Sequence, residues 1–447
     1  MRRVVQTTKM SVTDTLGLGF MTFAFFLGAG NLIFPPFAGM LAGENMSFAM
    51  LGFLITAVGM PLIGLIAVAK ANGKVMALLP AFAATALAIA IYIIIGPAFA
   101  APRTALVAFE IGARPFISNP DTLMMLGGKE FSIAQLIFTL VFFSIVMFLS
   151  LFPGKLLDSV GKILTPVLIL LLVGLACSVI IIPGAEVNTP VGEYINNPLT
   201  KGIIEGYNTM DTLASLMFGM LIIDLLRKKG VNDLADQTKY LVRAAFIAAG
   251  GLGFVYVSLF YLGASAGDFA IGADNGGQIL TNYVTHHFGG IGSLMLSTVV
   301  TLACLTTAIG LVTACSEFFN ELMPSLSYKL LVVVLSVICA TVANVGLTQL
   351  ISISIPVLMT IYPVAIALVL VTFLTERFAR PEFSHRLVLS VALFFGIFDG
   401  LKTAGMDMSF LDFLPLHAEG MAWLLPTTLT AIVCLFLPKK MDNKAVV

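Results

Sequence analysis

Gly28-Ala29-Gly30-Asn31 stands inside a run, Thr15 to Gly43, that contains no charged residue, and Pro35-Pro36 follow it in the same run. Two glycines and an asparagine loosen a helix, and two prolines remove further N–H donors. Hydrocarbon offers no hydrogen bonds, so backbone left unpaired at membrane depth is tolerated only where it lines a cavity or is buried in protein. Two readings follow. The plain one is a proline kink with glycines at a packing face. The sharper one is a broken helix whose exposed amides and carbonyls hold a solute and a cation. Such a break would fall at Gly28, Ala29, Gly30 and Asn31.

Further polar residues fall inside apolar stretches. In Ala303-Cys304-Leu305-Thr306-Thr307, Ala303, Thr306 and Thr307 share a helical face at i, i+3 and i+4. Two hydroxyls and a carbonyl suit a small hard cation such as Na+, although threonines in membrane helices also bond back to the preceding turn. Asp211 sits in Thr209-Met210-Asp211-Thr212-Leu213-Ala214-Ser215. It is either a coupling carboxylate or a helix-start acid near the outer surface. Ser215 and Gly219 would ease a second helix break opposite the first. Arg103 and Glu110 are seven residues apart and could share a face, as a structural pair or part of an outer gate. Glu317 and Glu321 are expected to be solvated at the inner surface.

Some patterns are rejected. Gly263-Ala264-Ser265-Ala266-Gly267 matches the hydrolase nucleophile elbow, but that elbow needs a strand before it, and here a long apolar run precedes. No phosphate-binding loop, H-E-x-x-H or complete G-x-G-x-x-G is present, which disfavours an ATP-driven pump, a membrane protease or any other enzyme. The five cysteines show no C-x-x-C spacing and read as buried hydrophobes.

The elements that must position these residues are membrane helices. The chain of 447 residues is 59% hydrophobic and 11% charged, against about 25% charged in soluble domains. Apolar runs long enough to cross a ~30 Å hydrocarbon core recur throughout. Twelve spans are expected, at roughly 16–40, 46–69, 78–101, 131–152, 163–183, 206–226, 244–264, 289–316, 330–345, 350–375, 386–404 and 420–438. Asp399 and Lys402 interrupt the eleventh. With the N-terminus inside, nineteen of the 24 Lys and Arg fall on the cytoplasmic side. Arg103, Arg114, Lys129, Lys201 and Lys402 fall outside, which fits both termini in the cytoplasm. The first apolar run is too long for a signal peptide and reads as a retained span. Residues 1–447 are expected to form a single membrane domain with the lipid bilayer as its surroundings and no nucleic-acid partner. Met21-Thr22-Phe23-Ala24 can be laid beside Met210-Asp211-Thr212-Leu213-Ala214-Ser215. That weak repeat is offset by five spans, and an odd offset inverts the second copy.

Gly19 to Pro36 resembles the opening of the bacterial branched-chain amino acid:cation symporters. Further similarities are Pro153-Gly154-Lys155-Leu156-Leu157-Asp158, Thr209 to Leu213, Asn344-Val345-Gly346-Leu347 and Phe398-Asp399-Gly400, so the resemblance extends from end to end. It implies import of leucine, isoleucine and valine across the bacterial cytoplasmic (inner) membrane, coupled to Na+ or H+, with no other cofactor. It implies an all-α polytopic protein of the LeuT-type fold: an inverted five-plus-five repeat (16–183 and 206–375) with broken first and sixth helices, then two more helices (386–438). By this resemblance the amides of Gly28, Ala29 and Gly30 would receive the substrate carboxylate. Carbonyls of Ala24 and Leu27, with Ala303, Thr306 and Thr307, would hold the cation. Ala214, Ser215 and Phe218 would line the substrate at the second break, and Asp211, Arg103 and Glu110 are candidates for gating or coupling. The outer-gate arginine of the wider fold is replaced here by Phe34 or its neighbour Ile33. Other readings stay open: an H+-coupled or exchange transporter of another apolar amino acid, or a non-transporting solute sensor.

Overall fold

The structure, a computed structural model, describes residues 9–120, 122–126, 129–152, 165–181, 187–267 and 271–438. Arg2, Arg3, Lys162, Lys439, Lys440, Lys444 and the Pro153 to Asp158 motif, with Lys155, lie outside them. The chain divides into two compact units, Met1–Ile66 with Tyr92–Ile351, and Ala67–Ile91 with Ser352–Val447.

In the first unit, α1 (Val12–Phe26) starts on the Ser11 side chain, which accepts from the Asp14 N–H. The Ser11 cap satisfies one of the donors that a helix start leaves without a partner. The chain is non-helical at Leu27 and Gly28 and resumes as α2 (Ala29–Ala42). Thus the glycine pair breaks the helix, while Pro35 and Pro36 lie within α2. α3 (Met46–Leu54) passes through a π-turn into α4 (Met60–Lys70). α5 (Ala81–Ile93) reaches α6 (Ala100–Val107) through a kink at Gly96-Pro97, and a π-turn over Ala108–Ala113 follows; the end of α4 and α5 up to Ile91 belong to the second unit. An antiparallel hairpin comes next, β1 (Leu123–Leu126) with β2 (Lys129–Ser132). It is a small addition to an otherwise helical chain and lies mostly in a stretch expected to be an outer loop.

α7 (Ile133–Ser150) and α8 (Thr165–Ile181) precede a short helix, α9 (Pro198–Tyr207), and a long one, α10 (Asp211–Lys228). α9 and α10 meet at 41° across Asn208–Met210. Here the sequence reading needs correction. It treated residues 183–205 as an outer loop and set the second break near Ser215 and Gly219, but both residues lie inside the unbroken α10. Met210 supplies the turn, with φ 65°. A left-handed methionine is strained by roughly 1–3 kcal/mol, so the surrounding packing must hold it there.

α11 (Leu234–Ala264) and α12 (Gly276–Leu322) complete the wall around the breaks. α12 bends at Gly289 (φ 59°), so part of the expected 265–288 loop is helical. α13 (Tyr328–Val342) and the start of α14 (Leu347–Leu374) close the unit. α1 and α2 both pack on α11 and α12, and α3 packs on α9. The α3–α9 approach is close enough that a Cβ on Gly52 would collide with the Leu199 carbonyl, and one on Gly202 with that of Ala49. Small residues permit such contact between helices.

The second unit holds most of α14 with α15 (Pro381–Thr403) and α16 (Leu424–Leu435). The charges that interrupt the eleventh span are used for structure here. Asp399, fully buried, accepts from the N–H groups of Ala422 (3.3 Å) and Trp423 (3.4 Å) at the start of α16. Lys402 donates to the carbonyls of His417 and Ala418.

Among the described residues, seven helices are long and apolar enough to cross a membrane, or eight if α9 with α10 counts as one bent span. Four shorter apolar helices accompany them: α1, the Thr165–Val179 part of α8, α13 and α16.

Candidate functional site

The two breaks face each other. Between them lies a small cavity of about 30 Å³, where one water needs roughly 10–15 Å³. A solute the size of an amino acid enters only when these walls part. The break in α1 and α2 contributes Phe25, Phe26 and Gly28 to Asn31; the α9–α10 break contributes Thr209, Met210 and Asp211, followed by Ala214 and Phe218 on α10. Ile95 comes from the kink after α5, Ala100, Arg103 and Thr104 from α6, and Thr307 and Leu311 from α12.

A polar network ties the breaks together. The Asn31 side-chain amide donates to Asp211 Oδ2 at 2.7 Å, and the Tyr256 hydroxyl donates to the same oxygen at 2.8 Å. Asn31 and Tyr256 are themselves in contact. Asn31 also reaches back, its Oδ1 accepting from the Gly28 N–H at 3.3 Å. All three side chains are buried, as a carboxylate inside a membrane protein must be when it is held by donors rather than by water.

Beside the cavity, at the C-terminal end of α1, oxygens converge. The Thr307 hydroxyl donates toward the carbonyls of Ala24 and Leu27, at 3.0 Å each. The Thr306 hydroxyl contacts the Ala24 carbonyl at 3.3 Å and the Ala303 carbonyl at 3.0 Å. Five oxygens from two elements therefore share one locus at the negative end of a helix dipole. Hydroxyls can rotate their protons away and offer lone pairs, so the locus can hold a hard monovalent cation. Among the described residues no three His, Cys, Asp or Glu side chains group to hold a metal ion.

The apolar wall is aromatic. Phe218 stands 5.3 Å from Phe25 and 5.4 Å from Phe26, edge-on to the latter. Gly28 and Gly30 are fitted closely: a Cβ on Gly28 would come 2.9 Å from the Thr307 methyl, and one on Gly30 would lie 3.2 Å from the Asn208 carbonyl and the Phe34 ring.

The structure brings together Gly28, Ala29, Gly30, Asn31, Ala214, Phe218, Thr307, Asp211 and Arg103, and sets Ala24, Leu27, Ala303 and Thr306 just beside them. Three expectations are corrected. Ser215 is buried with its hydroxyl donating to the Thr212 carbonyl at 2.7 Å and does not line the cavity. Glu110 pairs with Arg114 at 2.8 Å instead of with Arg103, because the π-turn over Ala108–Ala113 shifts the helical register between them. Arg103 instead donates to the Asn208 carbonyl at 2.8 Å and lies over the Phe34 ring at 5.5 Å. Glu317, expected to be solvated, pairs with Lys228 at 2.7 Å. Sequence reasoning missed Tyr256. Its one signal was a hydroxyl inside an apolar span, where a tyrosine must find a partner.

The family model described as branched-chain amino acid transport protein matches residues 11–441. The branched-chain amino acid transport system 2 carrier protein of Pseudomonas aeruginosa is 47% identical over 96% of this chain and 97% of its own. The branched-chain amino acid permease BrnQ of Escherichia coli K12 is 41% identical, with 96% of each chain covered. Two solved structures share the fold at low identity. MhsT in complex with L-phenylalanine aligns at TM-score 0.50 and 16% identity, covering 96% of this chain and 98% of that one. A manganese transporter mutant of Eremococcus coleocola aligns at TM-score 0.52 and 12% identity, covering 97% of each. With its apolar helices broken around a buried polar cavity, this chain belongs to the branched-chain amino acid transport protein family, whose members are multi-pass membrane transporters and not enzymes.

Proposed function

We propose that this protein imports leucine, isoleucine and valine across a bacterial cytoplasmic membrane by Na+-coupled alternating access. The observation that carries this is the convergence of the Ala24, Leu27 and Ala303 carbonyls with the Thr306 and Thr307 hydroxyls at the α1 break. A cation there would hold α1 against α12 and fix the geometry of Gly28 to Gly30, whose amides open the N-terminus of α2 to a carboxylate. Phe25, Phe26, Phe218, Ala214 and Ile95 would meet the branched side chain.

On this reading the four shorter apolar helices also cross, α1 with α2 forms one broken span, α3 with α4 the next, and α9 with α10 a second broken span. The total is then twelve spans with both termini inside, and the first ten form an inverted five-plus-five repeat. The small volume of the cavity accords with a contracted step in such a cycle, since a leucine needs more room than it offers.

The test is equilibrium binding of radiolabelled leucine to the purified protein in Na+ or in choline at equal ionic strength. Na+ should tighten binding by tenfold or more, and by linkage leucine should tighten Na+ binding by the same factor. Equal leucine affinity in both salts would remove the cation from the account. The competing reading, proton coupling, is favoured by a single feature, the buried Asp211 carboxylate in the cavity wall.

A further inference from the structure

Within the second unit, Thr375 to Arg380 join α14 to α15 and carry a basic patch that lines no part of the transport cavity. Two nearby cations are already paired, Lys70 with Glu376 at 3.4 Å and Arg386 with Glu382 at 3.1 Å. Arg377 and Arg380 make no ion pair among the described residues. The Arg380 Nε is buried without a hydrogen-bond partner, and so is the hydroxyl of Ser384, a fully buried residue one turn later. The connection is nevertheless well tied. The Phe378 N–H donates to the Leu374 carbonyl at 3.2 Å, the Ser384 N–H to the Arg380 carbonyl at 2.9 Å, and His385 Nε2 meets the Thr375 hydroxyl at 2.9 Å. No side chain caps α15, so the amides of its first turn, Pro381 excepted, remain open to an acceptor. From this end α15 exposes an apolar stripe, Phe383, Leu387, Phe394 and Ile397. Their spacing of i, i+4, i+11 and i+14 keeps them on one face, along a helix long and apolar enough to cross a membrane.

We propose that the α14–α15 connection holds the phosphate of an anionic phospholipid, with Arg377 and Arg380 on the headgroup and the α15 stripe beneath its acyl chains. A guanidinium fork matches phosphate oxygens in two parallel hydrogen bonds. The uncapped first turn of α15 adds donors at the positive end of the helix dipole. Glu376 and Glu382, the carboxylates of this stretch, are each held by another cation, so the patch keeps its positive charge. Clusters of basic residues at the end of a membrane helix draw anionic lipid in this way. A free phosphate would satisfy the arginines but leave the apolar stripe unexplained; a phospholipid meets both. The site therefore distinguishes phosphatidylglycerol from phosphatidylcholine, whose headgroup brings a cation of its own.

The test uses the full-length protein, delipidated in detergent and titrated with phosphatidylglycerol or phosphatidylcholine of identical acyl chains, with bound lipid counted by native mass spectrometry. The wild type should bind phosphatidylglycerol the more tightly. Replacing both arginines, Arg377→Gln with Arg380→Gln, should lower that affinity by roughly 10–30-fold, the size expected of two basic residues at a membrane surface. Binding of phosphatidylcholine should not change. Arg377→Gln alone, at an exposed position, should cost about fivefold and serves if the double variant does not fold. Lys239→Gln with Arg243→Gln removes as much charge from exposed positions on α11 and should leave the preference intact. Equal binding of the two lipids by the wild type would overturn the proposal. So would a preference that survives loss of the arginines, or one that falls as far in the α11 control. A last arm separates the lipid from free phosphate: phosphatidylglycerol should raise the thermal unfolding temperature of the delipidated protein, and inorganic phosphate alone should not. Equal protection by inorganic phosphate would overturn the lipid assignment.

Discussion

Replacing Thr307 by valine keeps the shape of the side chain and deletes one oxygen. The methyl that packs against Gly28 remains, so the α1 break is not given room to collapse, and Val is close in volume to Thr. What disappears is the hydroxyl shared between the carbonyls of Ala24 and Leu27. In the cation-free protein those carbonyls lose a buried donor, which costs about 1–3 kcal/mol. In the cation-bound protein, one of five oxygen ligands is gone. A charged group held by a hydroxyl gains roughly 1.5–3 kcal/mol from it, so the half-saturating Na+ concentration should rise about 10–100-fold. Thr307→Ser, which retains the oxygen, should stay within a few-fold of wild type. The assay is the Na+ dependence of leucine uptake into proteoliposomes at saturating leucine, where maximal rate should change far less than Na+ affinity. An unchanged Na+ requirement in Thr307→Val would refute the five-oxygen site, however well that variant transports.

Other outcomes follow from the same geometry. Gly30→Val would press its side chain on the Asn208 carbonyl and the Phe34 ring; it should abolish leucine binding while membrane insertion and monodispersity persist, and normal binding would argue against the amide cradle. Tyr256→Phe removes a donor from Asp211 Oδ2 and should weaken leucine binding about 10–100-fold, as a buried bond to a charged group implies; affinity equal to wild type would show that the network does not organise the site. Asp399→Ala removes the acceptor for the Ala422 and Trp423 N–H groups and should lower stability by about 1–3 kcal/mol, read as an earlier thermal unfolding in detergent with leucine affinity retained. An unshifted transition would mean that these contacts do not matter to the second unit.

The first break was legible because its glycines and prolines interrupt a run with no charge, where any loosening of the helix stands out. The second was not. Its first half, α9, carries Lys201 and Glu205, so a reading by hydropathy counts it as loop and places the break a full turn or more too late. The polar sequence Tyr207-Asn208-Thr209 after Gly206 marked the place, but nothing in it indicates a left-handed Met210. Thr306, Thr307 and Asp211 were readable as polar residues in apolar surroundings. Tyr256 lies 45 residues from the carboxylate it serves, and no local spacing can announce such a contact. The pairing of Arg103 with Glu110 failed for a different reason: a seven-residue interval predicts a shared face only while the helix keeps its ordinary period, and the π-turn changes that period. Arg103 stood out in the sequence only through that interval, and the contacts it makes with Asn208 and Phe34 come from other parts of the chain.

The central claim is that flux of a branched-chain amino acid is driven by a cation held at the α1 break. Its most direct test is radiolabelled leucine uptake into proteoliposomes containing the purified protein, under an inward Na+ gradient, an inward proton gradient, or neither. The account predicts accumulation above the equilibrium level with the Na+ gradient alone. Accumulation driven by the proton gradient alone, or binding of leucine without uptake under either gradient, would contradict it.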